Sequence, residues 1–476
     1  MFRPPFPIYR VGGTVIELKT AIKTAAIATG AGITVIILLS GPAVAGNAIA
    51  NLFAFDNSSG QSQTFSHGIL NPNNPFFKER GSNGRACVTC HQASEGWSIT
   101  PEGVQDRFEE SDGLDPIFRT NDGSNCEGAD VSTRDARREA FSLLLSRGLI
   151  RVGIDVPAGA EFVIEAVDDP YRCGGRLSAA SMYRRPLPST NLRFLSAIMW
   201  DGRESPGNLS IRDGLLQQAN DATRGHAQAF EDLSDAERQQ IVDFELGLHS
   251  AQGNDTAARG LNSEDAKGGA VNLSRQPFFI GINDPLGQNP SGAAFNPRAF
   301  TLFDAWAPST ASSHAPYAAA RAAVARGQEL FNTHAINITG VSGLNDELQV
   351  ASIAGTCTTC HDSPNVGNHS VKAPLNIGLT DPDQRTPDMP LYTLRNLRTG
   401  DFTQTTDPGR AMITGKWKDI GRFKGPILRG LAARAPYFHN GSAATLLDVV
   451  NFYDRRFTMG LTAAEKADLV AFLRAL

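Results

Sequence analysis

The sequence carries two copies of one short motif, Cys87-Val-Thr-Cys90-His91 and Cys357-Thr-Thr-Cys360-His361. C-x-x-C-H is the attachment signature of c-type haem. Two intervening residues let both sulfurs bond to one edge of the porphyrin, and the adjoining imidazole then reaches the iron from one face. A redox pair does not need the histidine, and structural zinc needs four ligands that this spacing does not supply. The sequence therefore predicts two covalently bound haems, each with its motif histidine as an iron ligand.

The spacing of the motifs predicts the domain organisation. A chain of 476 residues is long enough for two or three domains, and 20% charged with 41% apolar residues is typical of a globular protein. We expect a mainly α fold with two cytochrome c-like haem domains, at residues 46–251 and 316–476. A crossing linker, rich in Gly, Asn, Pro and Ser, is expected at 252–315. The net charge of -5 argues against nucleic acid as a partner.

Residues 1–45 are predicted to be a signal peptide. Basic residues precede an uncharged run from Thr24 to Ala50, and Pro42-Ala-Val-Ala45 resembles an A-x-A cleavage site. An uncleaved membrane anchor is the alternative, because about 20 apolar residues can span a bilayer. In both cases the haem domains would lie in the periplasm, where bacteria attach c-type haem. In that oxidising compartment the two remaining cysteines, Cys126 and Cys173, are expected to form a structural disulfide.

Local patterns predict three helices and one small β-hairpin. The helices are expected to open at Ser132, Ser234 and Thr462, since each is followed three positions later by an acidic residue. The stretch Ile150–Val156 instead alternates apolar with polar or small residues, and the apolar-rich run Glu161–Val167 follows a Pro-Ala-Gly turn. This pattern predicts a β-hairpin inserted into the first haem domain.

Two further strings, Met199-Trp-Asp-Gly-Arg203 and Arg434-Ala-Pro-Tyr-Phe-His-Asn-Gly-Ser-Ala-Ala-Thr-Leu446, resemble the bacterial dihaem cytochrome c peroxidase family, which includes the MauG-type maturation enzymes. The resemblance covers most of the chain from about Phe76 onward. It implies that the N-terminal haem is peroxidatic, with His91 as its proximal ligand, and that the C-terminal haem passes electrons to it. Trp200 would then be the family's tryptophan between the haems; ordinary core packing is the alternative.

The same resemblance implies that His361 is the proximal ligand of the C-terminal iron. It also bears on the second axial ligand of that iron. Peroxidases of the family place a Met on the helix after A-P-Y-F-H, whereas MauG-type members place a Tyr. This chain has Tyr453 at that position, with Met459 and Met412 as alternative ligands. A phenolate is a harder, anionic ligand than a thioether, so it should favour the ferric state and lower the potential.

On the open face of the N-terminal haem, the family uses a Gln and a Glu to move the protons of peroxide. Gln218 matches the Gln approximately, and His226 stands where the Glu would fall. An imidazole can move a proton in the same way or bind the iron in a resting state; local packing is the other alternative. The resemblance also implies a calcium ion between the haems, but Arg434 replaces the usual small residue there and argues against it.

These features predict a periplasmic dihaem c-type peroxidase, of MauG-like character where Tyr453 is the ligand. It would reduce hydrogen peroxide with electrons from an external donor such as a small cytochrome c or a cupredoxin. A non-enzymatic dihaem electron-transfer cytochrome, with both irons six-coordinate, is the first alternative. A dihaem oxygenase that binds dioxygen when reduced is the second.

Overall fold

The fold is taken from a computed structural model that describes residues 23–29, 32–38, 51–67, 71–174, 176–307 and 317–476. The predicted cleavage site after Ala45 lies outside these residues. Within the N-terminal unit, Met1–Ala48, strands β1 (Lys23–Thr29) and β2 (Gly32–Leu38) pair antiparallel. Among the described residues, no helix has the length and apolar character needed to cross a membrane.

The second unit, Ile49–Leu476, contains every predicted site residue. Its helices are α1 (Pro101–Ser111), α2 (Arg134–Ala140), α3 (Ser142–Arg147), α4 (Ile211–Gly225), α5 (Asp235–Gly247), α6 (Ala270–Ser274), α7 (Ala318–Thr333), α8 (Ala411–Thr414), α9 (Leu446–Phe457) and α10 (Ala463–Arg474). Its strands are β3 (Ala54–Asn57), β4 (Gly60–Ser66), β5 (Ile150–Asp155), β6 (Phe162–Asp168), β7 (Ala179–Arg184), β8 (Leu248–Asp255), β9 (Arg259–Gly260), β10 (Ile336–Thr339), β11 (Ser352–Gly355), β12 (Leu391–Asn396) and β13 (Phe402–Thr405).

The sheets of this unit are small and antiparallel. They have the strand orders β3-β4-β8-β9, β13-β12-β6, β5-β7 and β10-β11. The described part of this unit has ten α-helices and only small sheets, so the mainly α class is confirmed. The division into two haem domains at residue 251 or 316 stays a prediction.

The predicted helix starts are confirmed at two of the three positions. Ser234 and Thr462 each form a capping box, in which the side chain accepts from the amide three residues on and that residue's carboxylate accepts from the cap. The third helix starts one residue later than expected, because Thr133 rather than Ser132 accepts from the Ala136 amide at 3.1 Å. Helix N-termini with such capping residues can therefore be predicted from the sequence to within one residue.

The predicted β-hairpin is wrong in its pairing. Both strands form, but β5 pairs with β7, and β6 pairs with β12 from the C-terminal half. Phe162 and Ile164 of β6 are buried in one cluster with Tyr392 and Leu394 of β12. Because burial of these apolar side chains favours the distant partner, the sheet joins residues assigned to different predicted domains.

Each half of this unit has a stabilising feature of its own. Cys126 and Cys173 form the expected disulfide. In the C-terminal half, α7 and α10 pack together around the buried aromatic residues Phe331 and Phe472. Phe300 from the predicted linker packs on both rings, so that segment contributes to this core.

The crossing of α7 and α10 depends on Gly327. A Cβ atom at this position would lie 2.0 Å from the Asp468 carbonyl oxygen of α10. We expect Gly327→Ala to lower the free energy of unfolding by about 1–3 kcal/mol, since the two helices must move apart. Thermal unfolding followed by circular dichroism measures this loss. Gly225→Ala is the matched control, because a Cβ there meets no atom within 4 Å; equal stability of the two variants would contradict the prediction.

Candidate functional site

The first C-x-x-C-H motif lines a cavity of about 180 Å³ with Cys87, Cys90 and His91. Backbone hydrogen bonds from Cys90 and His91 to the Cys87 carbonyl, both 3.1 Å, fold the motif into a tight turn. The Nδ1 atom of His91 donates to the Trp97 carbonyl at 3.0 Å, which leaves Nε2 for a metal ion. Burial lowers the pKa of His91 to about 4, so the imidazole is neutral, as a metal ligand must be.

The second motif repeats this geometry around a cavity of about 230 Å³, which Cys357, Cys360 and His361 line. The Nδ1 atom of His361 donates to the Gly367 carbonyl at 2.6 Å, and burial lowers the pKa of this imidazole as well. Phe331 lies against the ring, with 5.8 Å between the ring centroids. Both histidines are thus oriented by a backbone carbonyl, with the same nitrogen left free.

The four cysteines fit covalent haem better than a thiolate metal site. Burial raises the pKa of Cys87 and of Cys357 to about 12, so these thiols resist ionisation. In the part of the chain that the structure describes, no group of three or more His, Cys, Asp or Glu side chains could hold a metal ion. Paired neutral thiols beside one oriented histidine suit thioether bonds to a porphyrin.

One wall is common to both cavities and contains Trp200. The indole Nε1 atom donates to the Arg185 carbonyl at 2.8 Å, and the Trp200 carbonyl accepts from the Lys424 amide at 2.9 Å. These two bonds hold the ring between chain segments that line both cavities. Trp200 therefore lines both of the cavities that contain the C-x-x-C-H motifs.

The common wall also contains three cationic side chains, Arg185, Lys424 and Arg434. Arg185 and Lys424 are buried, and burial lowers their pKa values to about 10 and about 7 respectively. Among the described residues, none of the three forms an ion pair with a carboxylate; Lys424 Nζ donates to the Ala197 carbonyl at 3.1 Å. Because an unpaired buried cation costs several kcal/mol, this wall is suited to anionic groups such as haem propionates.

The predicted proton-transfer residues lie at the first cavity. Gln218, on α4, and His226, which ends that helix, both line the same space as His91. Sequence reasoning missed Asp122, whose Oδ2 atom accepts from Nδ1 of His226 at 2.5 Å. The two residues are 104 positions apart, so no local pattern could have paired them.

The candidate axial ligands separate into two groups. Tyr453, on α9, and Met459, just beyond it, both line the second cavity. Burial raises the pKa of the Tyr453 phenol, and its hydroxyl has no hydrogen bond to any described residue. Met412 instead lies in the core with Tyr392 and lines neither cavity.

The two cavities are built alike, and the paired cysteines with a carbonyl-oriented histidine in each are the residues that attach c-type haem. A family profile described as "RoxA-like, cytochrome c-like" matches residues 422–459. Cytochrome-c peroxidase IdrP2 of Denitromonas iodatirespirans is 32% identical over 146 residues, which cover 28% of this chain and 38% of that protein. Cytochrome c551 peroxidase of Nitrosomonas europaea is 31% identical over 121 residues, covering 25% and 30%.

A solved structure, that of a MauG-like protein associated with microbial copper homeostasis, aligns with a TM-score of 0.38 at 16% identity over 85% of this chain and 86% of that one. The matches span little more than a third of the length of the curated relatives. The names of those relatives confirm the predicted resemblance to bacterial cytochrome c peroxidases.

Proposed function

We propose that this protein is a periplasmic dihaem peroxidase that reduces hydrogen peroxide to water with electrons from an external donor. The observation that supports the proposal is the common wall, where Trp200 lines two cavities of matching design. Peroxidase names among the curated relatives support the same reaction. The donor class that fits is a small one-electron protein, such as a cytochrome c or a cupredoxin.

Each group of residues has a role in this proposal. The motif cysteines hold the two haems covalently, and His91 and His361 bind the irons through Nε2. Haem supplies the redox chemistry when bound. Arg185, Lys424 and Arg434 neutralise the propionates from the common wall.

Two further roles concern electrons and protons. Trp200 provides an oxidisable indole between the cavities, so an electron need not cross that distance in one step. Gln218 and His226 hold peroxide by hydrogen bonds and move its protons in the first cavity. Tyr453 would give the second site its MauG-like character, as the sequence predicts.

Stopped-flow absorbance of the ferric protein mixed with one equivalent of hydrogen peroxide tests the function. We expect a fast Soret change that an added reduced cytochrome reverses. An unchanged spectrum would overturn the peroxidase and favour the electron-transfer cytochrome. A stable dioxygen complex of the reduced protein, without a response to peroxide, would favour the oxygenase.

Trp200→Phe tests the path between the cavities. We expect the first haem to react with peroxide normally, while oxidation of the second slows by about tenfold or more, a barrier increase of about 1.4 kcal/mol. Phenylalanine is harder to oxidise than indole, and it also lacks the Nε1–H group that donates to Arg185. Two-wavelength stopped-flow absorbance separates the two events.

Trp306→Phe is the matched control for this variant, since Trp306 is buried against Phe303 and lines neither cavity. Both variants lose one buried indole. Equal inter-haem rates in Trp200→Phe and the unmodified protein would remove Trp200 from the path.

A further inference from the structure

Asp122 is a buried carboxylate that contacts His226, and the proposed function assigns it no role. We propose that Asp122 is a positioning residue: it fixes the tautomer of His226, so that Nε2 is the proton acceptor for a ligand in the first cavity. This inference rests on the proposed function only in the identity of the ligand, hydrogen peroxide. The structural basis is a three-residue chain, Arg85–Asp122–His226.

Asp122 is fixed on both carboxylate oxygens. Its Oδ2 atom accepts from Nδ1 of His226 and its Oδ1 atom accepts from Nη1 of Arg85, each at 2.5 Å. The side chains of Asp122 and Arg85 are 7% and 3% exposed, so neither partner is free to turn toward solvent. Although burial opposes ionisation, the hydrogen bond from His226 and the charge of Arg85 hold the pKa of Asp122 below its usual range. The carboxylate is therefore an acceptor on both sides.

Arg85 is itself held by the backbone. Its Nε atom donates to the Pro116 carbonyl at 2.8 Å and its Nη2 atom to the Ile117 carbonyl at 2.7 Å. The backbone carbonyl of His226 also accepts from Asn83 Nδ2 at 2.8 Å. Arg85 and the backbone of His226 are thus anchored, and the imidazole cannot exchange its two nitrogens without breaking its part-buried hydrogen bond to Asp122.

The consequence concerns where the proton of the imidazole lies. A carboxylate on Nδ1 requires that this nitrogen carry the hydrogen, so Nε2 keeps its lone pair. Nε2 has no hydrogen-bond partner among the described residues, and His226 lines the cavity with His91. An acid that enters the cavity can therefore transfer one proton to Nε2, which gives its anion and an imidazolium stabilised by Asp122.

Asp122→Asn tests this arrangement with almost no change of shape. Arg85 can only donate, so the amide oxygen must face Arg85 and the amide nitrogen must face His226. Nδ1 then becomes the acceptor, and the hydrogen moves to Nε2, where no proton can be accepted. We expect the rate of reaction with hydrogen peroxide to fall by about 100-fold or more.

Cyanide binding to the ferric protein gives a readout that does not depend on peroxidase activity. Hydrogen cyanide must lose its proton when the anion binds iron, so its association rate reports a nearby base. We expect Asp122→Asn and His226→Gln each to slow this association by about 100-fold, and the double variant to be no slower. Spectra of the covalent haems would establish that each variant is fully loaded.

Asp122→Glu separates positioning from packing. Glutamate keeps a carboxylate acceptor but adds a methylene at a buried site, so it disturbs packing more than asparagine does. We expect Asp122→Glu to bind cyanide within about tenfold of the unmodified rate. Asp115→Asn, which removes a carboxylate that pairs with Arg107 in the same region, is the control and should match the unmodified protein.

The outcomes distinguish this proposal from the proposed function. Slow cyanide binding in Asp122→Asn with recovery in Asp122→Glu supports the positioning role, even where the protein fails to reduce peroxide. Normal cyanide binding in Asp122→Asn, or a slower rate in Asp122→Glu than in Asp122→Asn, overturns it. A low-spin to high-spin change on His226→Gln also overturns it, because His226 would then be an iron ligand.

Discussion

Replacing both Cys357 and Cys360 by alanine is expected to leave a protein with one covalent haem instead of two. These thiols and His361 line the second cavity, and no other free cysteine lies near it in the part of the chain that the structure describes. Without thioether bonds a haem at this site is held only by its axial ligands and apolar contacts, and it is lost on denaturation. Mass spectrometry of the denatured chain and the pyridine haemochrome spectrum count the haems.

The control removes two cysteines that bind no haem. Cys126→Ala with Cys173→Ala eliminates the disulfide and should keep both haems, while the free energy of unfolding falls by about 2–4 kcal/mol. The Cys357 and Cys360 variant should lose turnover with a protein donor but keep the reaction of its first haem with peroxide. Identical haem counts in the unmodified protein and in both double variants would contradict the two-haem interpretation.

Replacing Tyr453 by phenylalanine should change the spin state and raise the reduction potential of the second haem. The change removes one hydroxyl group of a side chain that lines the cavity. Among the residues that the structure describes, this hydroxyl has no hydrogen-bond partner. Loss of an anionic oxygen ligand favours the ferrous state. Axial ligands alter haem potentials over about 0.8 V, so a rise on the order of 0.1 V or more is expected.

Potentiometric titration and electron paramagnetic resonance of the ferric protein measure both effects. Met459→Leu is the matched control, since Met459 lines the same cavity and the substitution conserves volume. If Met459→Leu alters the spin state and Tyr453→Phe does not, methionine is the ligand and the MauG-like character is lost. A change in neither variant would mean that neither Tyr453 nor Met459 binds the iron at the second site.

Features within a few residues of each other could be predicted from sequence. The two C-x-x-C-H motifs form matching turns, and the capping boxes at Ser234 and Thr462 form as expected. The hydrogen bonds that stabilise these features join residues at most four apart, so the local sequence contains both partners. The same reasoning failed for the hairpin, because strand pairing depends on which distant apolar face is available.

The sequence by itself determined the haem chemistry of this protein, since the cysteines and the histidine must be adjacent to serve one porphyrin. Only the tertiary structure decided how the two motifs are related: they share a wall with Trp200 and three cations without carboxylate partners among the described residues. It also decided that Asp122 holds His226 across 104 positions. These contacts form because burial joins segments of high sequence separation, and no short-range spacing specifies such contacts.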